Sequence, residues 1–367
     1  LKVFYLSPVP RASFFQRPQF LASAIAERLG AELVWFDPYP TRFPCLGDLR
    51  SKRVSGLSAQ SGEAAIRVPA LPIEPLAGAG RLNRLLFWDK LLARQSIDAR
   101  DVLIIGKPSK FALHFQSVFP GRATIYDAMD DFPAFYSGLA AKSLASVEGE
   151  IARRASFITC SSDRLLERWR EPLGSARCAA LPNAYPMSSL PPCPERRTPA
   201  RRIGYVGTLA KWFDWSLVAE IARALPEVEV ALLGSLHCTV PPLPENVRLL
   251  GATSVEGCRE FLSRCDIGLI PFLATRLTES VDPVKYYEML GLGLPVWSSA
   301  FGSMRGRGDA SRGVHIVGAG SDWRELWKQT SSWRPDRAGL DAFRTANDWH
   351  ERARRFVELT GLDGVRR

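Results

Sequence analysis

No stretch of the 367 residues approaches the eighteen consecutive apolar positions that a membrane-crossing helix requires, so none is expected to span a bilayer. Histidine is scarce, with four in all, and the seven cysteines (Cys45, Cys160, Cys178, Cys193, Cys238, Cys258, Cys265) are odd in number and contain no CxxC pair. That scatter argues against a disulfide framework or a metal cluster and for free thiols in a reducing compartment. Zinc-finger, RNP and helix-turn-helix signatures are also missing, which argues against a nucleic-acid partner. The segment Leu1 to Ser7 is a short apolar strand pattern, too short for a signal-peptide core and without a basic leader, so a cytoplasmic protein is expected.

Charge is present in excess and unevenly. The net charge is +10; residues 1–200 hold 26 Lys and Arg against 18 Asp and Glu, whereas the remainder holds 22 against 20. A basic first half suits an anionic membrane face. The stretch Arg81 to Gln95 sharpens this, because it sets Leu82, Leu85, Leu86, Phe87, Trp88, Leu91 and Leu92 against Arg81, Arg84, Lys90 and Arg94. Such a helix lies in a membrane interface or packs on a sheet.

The length predicts two domains. Strands alternate with helices throughout, which predicts an α/β fold with parallel sheets. Residues 1–186 are expected as the first, 187–202 as a Pro- and Arg-rich linker, 203–340 as the second, and 341–367 as a terminal segment, with one long helix over Leu340 to Leu359.

The organising stretch is Thr278 to Trp297, TESVDPVKYYEMLGLGLPVW. Asp282 is expected as N-cap, Pro283 at the first helical position, and Gly291 or Gly293 as the left-handed stop, giving a helix over Pro283 to Met289. Lys285 falls in its first turn, where the helix dipole disfavours a cation unless an anion comes between them. Glu288, three residues on, shares its face and is placed to accept from a ribose hydroxyl, while Val284, Tyr287 and Gly291 read as core. The alternative is a solvated Lys285–Glu288 ion pair.

This stretch resembles the donor helix of GT-B glycosyltransferases of the bacterial exopolysaccharide and teichuronic-acid type, approximately S-V-[ND]-P-x-K-x-Y-E-x-L-A-x-G-x-P-V. The resemblance implies an α/β fold of two Rossmann-like domains facing a cleft, with 341–367 crossing back onto the first domain, and that Lys285 contacts the donor diphosphate and Glu288 the ribose. Many retaining members carry a second Glu eight positions earlier; here that position is Ser280, and Glu279 is one residue off register. Arg17, Pro18, Gln19, Leu21 and Ala22 match the family's R-P-Q-x-L-A entry to its first helix, which places Arg17 near donor or acceptor. Tyr126, Ala128 and Asp130 match a Y-x-A-x-D stretch that is similar to the base-bearing segment of an inverting xanthan transferase, which implies Asp130 as base. From the residues alone, Asp127, Asp130 and Asp131 are all available as a base or as a cap for the next helix, and a D-x-x-D-D metal site is a further alternative. The glycine-bearing loop GYVGTLAKWFD supplies Gly207, Thr208 and Lys211. With the backbone of Ser280, Val281 and Asp282 it is expected around the diphosphate, and Gly234, Ser235 and Leu250 around the base.

The implied reaction moves a sugar from a nucleoside diphosphate sugar, preferably UDP, to a glycan or lipid-diphosphate-linked acceptor, with no cofactor and no obligatory metal. A retaining transferase, a sugar-nucleotide epimerase and a non-catalytic nucleotide-sugar-binding module are the rival readings.

Overall fold

A computed structural model describes residues 1–43, 65–119, 123–192 and 201–363. Among the cysteines, Cys45 and Cys193 lie outside these residues, as does 193–200 of the expected linker; Cys160, Cys178, Cys238, Cys258 and Cys265 are free thiols. The chain forms two compact units, one of residues 1–182 and 352–367 and one of residues 183–351.

The first unit carries a parallel sheet in the order β3-β2-β1-β4-β5-β6-β7. Its strands are β1 (Lys2–Leu6), β2 (Glu32–Asp37), β3 (Ile66–Arg67), β4 (Val102–Ile105), β5 (Ala123–Ala128), β6 (Phe157–Cys160) and β7 (Cys178–Ala180). Every residue of β4, VLII, is buried, as expected of a strand covered on both faces by helices. The first helix, Arg17–Leu29, starts from a capping box between Gln16 and Gln19, with Pro18 in its first turn, and stops at Gly30, whose φ is 61°.

The helical stretch over 79–93 contains a π turn at Arg84–Trp88. Trp88 and Leu92 are buried, whereas Leu82, Leu85 and Leu86 are exposed by 43%, 69% and 45%. One edge of this stretch therefore packs, as the sheet-packing reading expects, while the leucines beside Arg81 and Arg84 are exposed.

The second unit carries a parallel sheet in the order β10-β9-β8-β11-β12-β13. Its strands are β8 (Arg202–Val206), β9 (Glu229–Leu233), β10 (Val247–Gly251), β11 (Ile267–Ile270), β12 (Val296–Ser299) and β13 (Val314–Val317). The order reverses between β8 and β11, the switch point at which open α/β sheets take ligands. Helices Trp215–Ala224 and Val255–Ser263 start at Asp214 and Ser254, whose side chains accept from backbone N–H groups three residues on. The strands β3, β7 and β13 and the helices Lys110–Ser117, Val255–Ser263 and Trp323–Ser331 have no counterpart in the sequence reading.

Two boundaries differ from expectation. The units divide at the LPNA turn rather than after 186, and the described part of the expected linker belongs to the second unit. Asn183 explains this: its N–H donates to Asp282 Oδ2 and its side-chain amide to the Asp282 carbonyl, both at 2.6 Å. The single terminal helix is instead two, Arg337–Ala346 and Trp349–Thr360. At the break the Asn347 carbonyl accepts from Tyr185 N–H at 3.1 Å and the Asp348 carboxylate from Met187 N–H at 2.9 Å. From Arg352 the helix belongs to the first unit, with Ala353, Phe356 and Val357 buried.

Candidate active site

In the first unit the three aspartates at and after the end of β5 separate by their partners. Asp127 is fully buried and taken bidentately by Arg17, Nη2 to Oδ1 at 2.7 Å and Nε to Oδ2 at 3.1 Å, while Thr159 Oγ1 also donates to Oδ1 at 2.8 Å. Arg17 Nη1 donates to the Leu181 carbonyl at 3.0 Å. These two residues therefore clamp the first helix to β5 and to the end of the unit, and neither is presented to a ligand as the sequence reading expected. Breaking such a pair from one side leaves a buried charge unmatched. Arg17→Met is expected to lower the unfolding free energy by about 3–5 kcal/mol, read as a lower urea midpoint.

Asp131 accepts from Arg168 Nη1 at 3.0 Å, and the same guanidinium bonds Glu148 at 2.5 Å. Its side chain does not cap the following turn, Phe132–Phe135. Asp130 is different: it has no hydrogen bond or ion pair among the described residues. Burial pushes its carboxyl up to about 7, with Arg17 pulling back and Asp127 and Asp131 adding to the rise. A carboxylate without a partner and with a value near neutrality is what a general base requires.

In the second unit the helix runs over Val284–Gly291 with Pro283, not Asp282, at its N-cap position, and Gly293, at φ 72°, supplies the left-handed stop. The Asp282 carboxylate is drawn elsewhere, to Arg307 Nη1 at 2.7 Å and the Tyr287 hydroxyl at 2.9 Å as well as to Asn183. A buried ion pair outweighs a single cap bond. Val284, expected in the core, is exposed, whereas Tyr287 and Gly291 are buried as expected.

Lys285 and Glu288 share a helix face but do not pair with each other among the described residues. Lys285 reaches the switch point: its Nζ lies 5.7 Å from the Tyr205 ring centroid and 5.8 Å from that of Phe272, with no hydrogen bond or ion pair among the described residues. Burial pushes its ammonium down, and Glu288 and Cys258 push back. Its seat is set by glycine. A Cβ on Gly207, φ 138°, would lie 2.4 Å from Lys285 Cε and 2.6 Å from Nζ, and a Cβ on Gly234 would lie 1.8 Å from the Gly207 carbonyl oxygen.

Glu288 is buried, and its Oε1 accepts from the Tyr185 hydroxyl at 2.7 Å; Arg259 Nε donates to that hydroxyl at 3.2 Å. Its Oε2 has no partner among the described residues. Burial raises the carboxyl, and Tyr185, Lys285 and Arg259 pull it back.

The remaining expected residues are less concentrated. The Gly207 N–H donates to the Leu233 carbonyl at 2.9 Å and Gly234 N–H to the Gly251 carbonyl at 2.6 Å, so these two donors, expected near the diphosphate and the base, belong to the sheet. The Thr208 carbonyl takes the Tyr205 hydroxyl at 2.8 Å, and the Ser235 carbonyl the Leu209 N–H at 2.9 Å. Ser280 is buried in the turn Thr278–Ser280, and the Val281 carbonyl accepts from Ser303 N–H at 3.3 Å. Lys211 and Leu250 are exposed. Among the described residues no group of three or more His, Cys, Asp or Glu side chains is placed to hold a metal ion.

No family model matches the chain. It is 26% identical over 203 residues to TuaH of Bacillus subtilis (strain 168), a glycosyltransferase assigned to teichuronic acid biosynthesis, an alignment that covers 49% of this chain and 51% of that protein. The chain thus spans about half the length of the curated relative it matches. Sucrose-phosphate synthase from Thermosynechococcus elongatus superposes with a TM-score of 0.69 at 14% identity, over 98% of each chain. Anabaena Alr3699/HepE in complex with UDP gives 0.63 at 13% identity, over 98% of this chain and all 100% of that one.

The chain has the GT-B fold.

Within that GT-B fold, the resemblance to the group 1 type rests on the same helix whose lysine the structure seats at the switch point. Tyr185, Arg259 and Arg307 complete the site from outside the motif, and no local signal in the sequence marks them.

Proposed function

We propose that the chain transfers a sugar from a UDP-sugar to a hydroxyl of a glycan or lipid-linked acceptor in surface polysaccharide synthesis, with inversion and without an obligatory metal. One observation carries this reading: a half-buried ammonium, Lys285, held over Gly207 at the sheet's switch point with no hydrogen bond or ion pair among the described residues, although Glu288 acts on it at longer range. Such a seat suits a diphosphate, and Glu288 Oε2 suits a ribose hydroxyl. The UDP and UDP-glucose complexes of HepE support the choice of nucleotide.

In the proposed reaction Asp130 takes the proton of the acceptor hydroxyl as its oxygen bonds to the anomeric carbon. The bond from that carbon to the diphosphate oxygen breaks, and Lys285 meets the negative charge that gathers on the departing UDP. Inversion is favoured because Ser280 stands where many retaining relatives carry a Glu, and the adjacent Glu279 is tied to Arg305 at 2.6 Å. The exposed Leu82, Leu85 and Leu86 beside Arg81 and Arg84 support peripheral contact with an anionic membrane face.

UDP is expected to stabilise the protein by about 2.7 kcal/mol at a hundredfold excess over its Kd, read by thermal shift, with GDP and ADP doing much less. Transfer to an acceptor should then give a product of inverted anomeric configuration by NMR. The absence of any nucleotide-dependent shift, or epimerised donor formed without acceptor, would defeat the reading.

A further inference from the structure

The first unit has its own switch point, unused by the reaction above. Its strand order reverses between β1 and β4, which opens a crevice at the carboxyl edge of the sheet. A cavity of about 20 Å³ lies there, lined among others by Ser7 after β1, Asp37 and Tyr39 at and after the end of β2, and Lys107 and Ser109 after β4. Its floor is pinned, because the N–H groups of Gly106 and Lys107 both donate to the Leu6 carbonyl, at 2.9 and 3.1 Å.

Lys107 Nζ makes one hydrogen bond, to the Tyr39 carbonyl at 3.1 Å, and no ion pair among the described residues. An ammonium has three donors, and a neutral carbonyl does not balance its charge. Each nearby carboxylate has one oxygen engaged, and Glu74 keeps Oε2 buried without a hydrogen bond. Glu74 Oε1 accepts from the Tyr39 hydroxyl at 3.0 Å and from Lys110 N–H at 2.6 Å; Asp37 Oδ1 accepts from Arg11 N–H at 2.8 Å and the Trp35 indole at 3.1 Å. Burial pushes the Lys107 amine down to about 8 against the pull of Glu74. The cavity holds roughly one water-sized group, so it admits the tip of an oxyanion and not a sugar ring.

Asp130 follows β5, which is hydrogen-bonded to β4 with Ile105 opposite Tyr126, so Lys107 and Asp130 leave the same edge of the sheet on adjacent strands. We propose that Lys107 and its crevice bind an oxyanion, a phosphate or carboxylate group, carried by the acceptor one strand away from the hydroxyl that reacts. This rests on reading the first unit as the acceptor side.

The test is calorimetric titration of methyl phosphate and, separately, glucuronic acid into protein saturated with UDP. One of the two is expected to bind, which identifies the group. Lys107→Met and Lys107→Gln should weaken it at least about tenfold with UDP affinity unchanged, and Lys107→Arg should stay within about threefold of wild type. Binding of neither probe to the wild type, or equal binding by Lys107→Met and Lys107→Gln, overturns the proposal. If UDP itself fails to bind, the donor reading falls, and the same titrations on Lys285→Met without UDP still report on Lys107 alone.

Discussion

Asp130→Asn is expected to lower sugar transfer by about 10²–10⁴-fold while UDP affinity and the fold survive. The neighbouring aspartates cannot substitute. Asp127 is spent on Arg17 and Thr159, and Asp131 on Arg168. The wild-type rate should fall as pH drops below about 7, because burial holds the Asp130 proton on to that value and a protonated carboxyl accepts nothing from the acceptor. The stability consequence has the opposite sign. A carboxyl raised in the folded state contributes stability that is fully present below its unfolded value, roughly 3.9, and is lost as pH rises through about 7. At pH 8 the Asn variant should therefore melt no lower than wild type, which separates lost chemistry from lost folding. An Asn variant with wild-type turnover, or a wild-type profile flat through pH 7, would move the base elsewhere.

The fold was legible because its signals are local. Apolar runs bounded by Gly and Pro give parallel strands, and RPQ and VDP mark helix entries, the first with a capping box closed within three residues. The helix Val284–Gly291 was legible for the same reason, down to the face that Lys285 and Glu288 share. Their separation was not legible, because what claims Glu288 is Tyr185, 103 residues away, and what seats Lys285 is the absence of a side chain at Gly207. Arg17 shows the same limit. Its motif marks a helix start correctly, but its role is decided by Asp127, 110 residues on, and pairing over that distance leaves no periodic trace. The break in the terminal helix is likewise imposed by Tyr185 and Met187, which take the Asn347 carbonyl and the Asp348 carboxylate.

Lys285→Met is expected to reduce turnover by about 10²–10³-fold and to abolish most of the UDP-dependent rise in melting temperature. The lysine's burial makes this a prediction about ligand rather than about folding. An ammonium pushed down by burial binds its proton less tightly folded than unfolded, so it burdens the free protein. That burden is full below the folded value and fades as pH rises past it. Without nucleotide, the Met variant should thus melt no lower than wild type, and only the liganded state should suffer. Gly207→Ala offers an independent route to the same result with the lysine still present. Its Cβ would fall 2.4 Å from Lys285 Cε, on a backbone at φ 138° that L side chains rarely adopt, so the ammonium must leave its seat between Tyr205 and Phe272. Lys211→Ala, at an exposed cation in the same loop, should change UDP affinity less than about twofold, since exposed charges contribute little. Wild-type UDP affinity in both Lys285→Met and Gly207→Ala would mean that the nucleotide binds away from this switch point, and the transfer chemistry would lose its donor site.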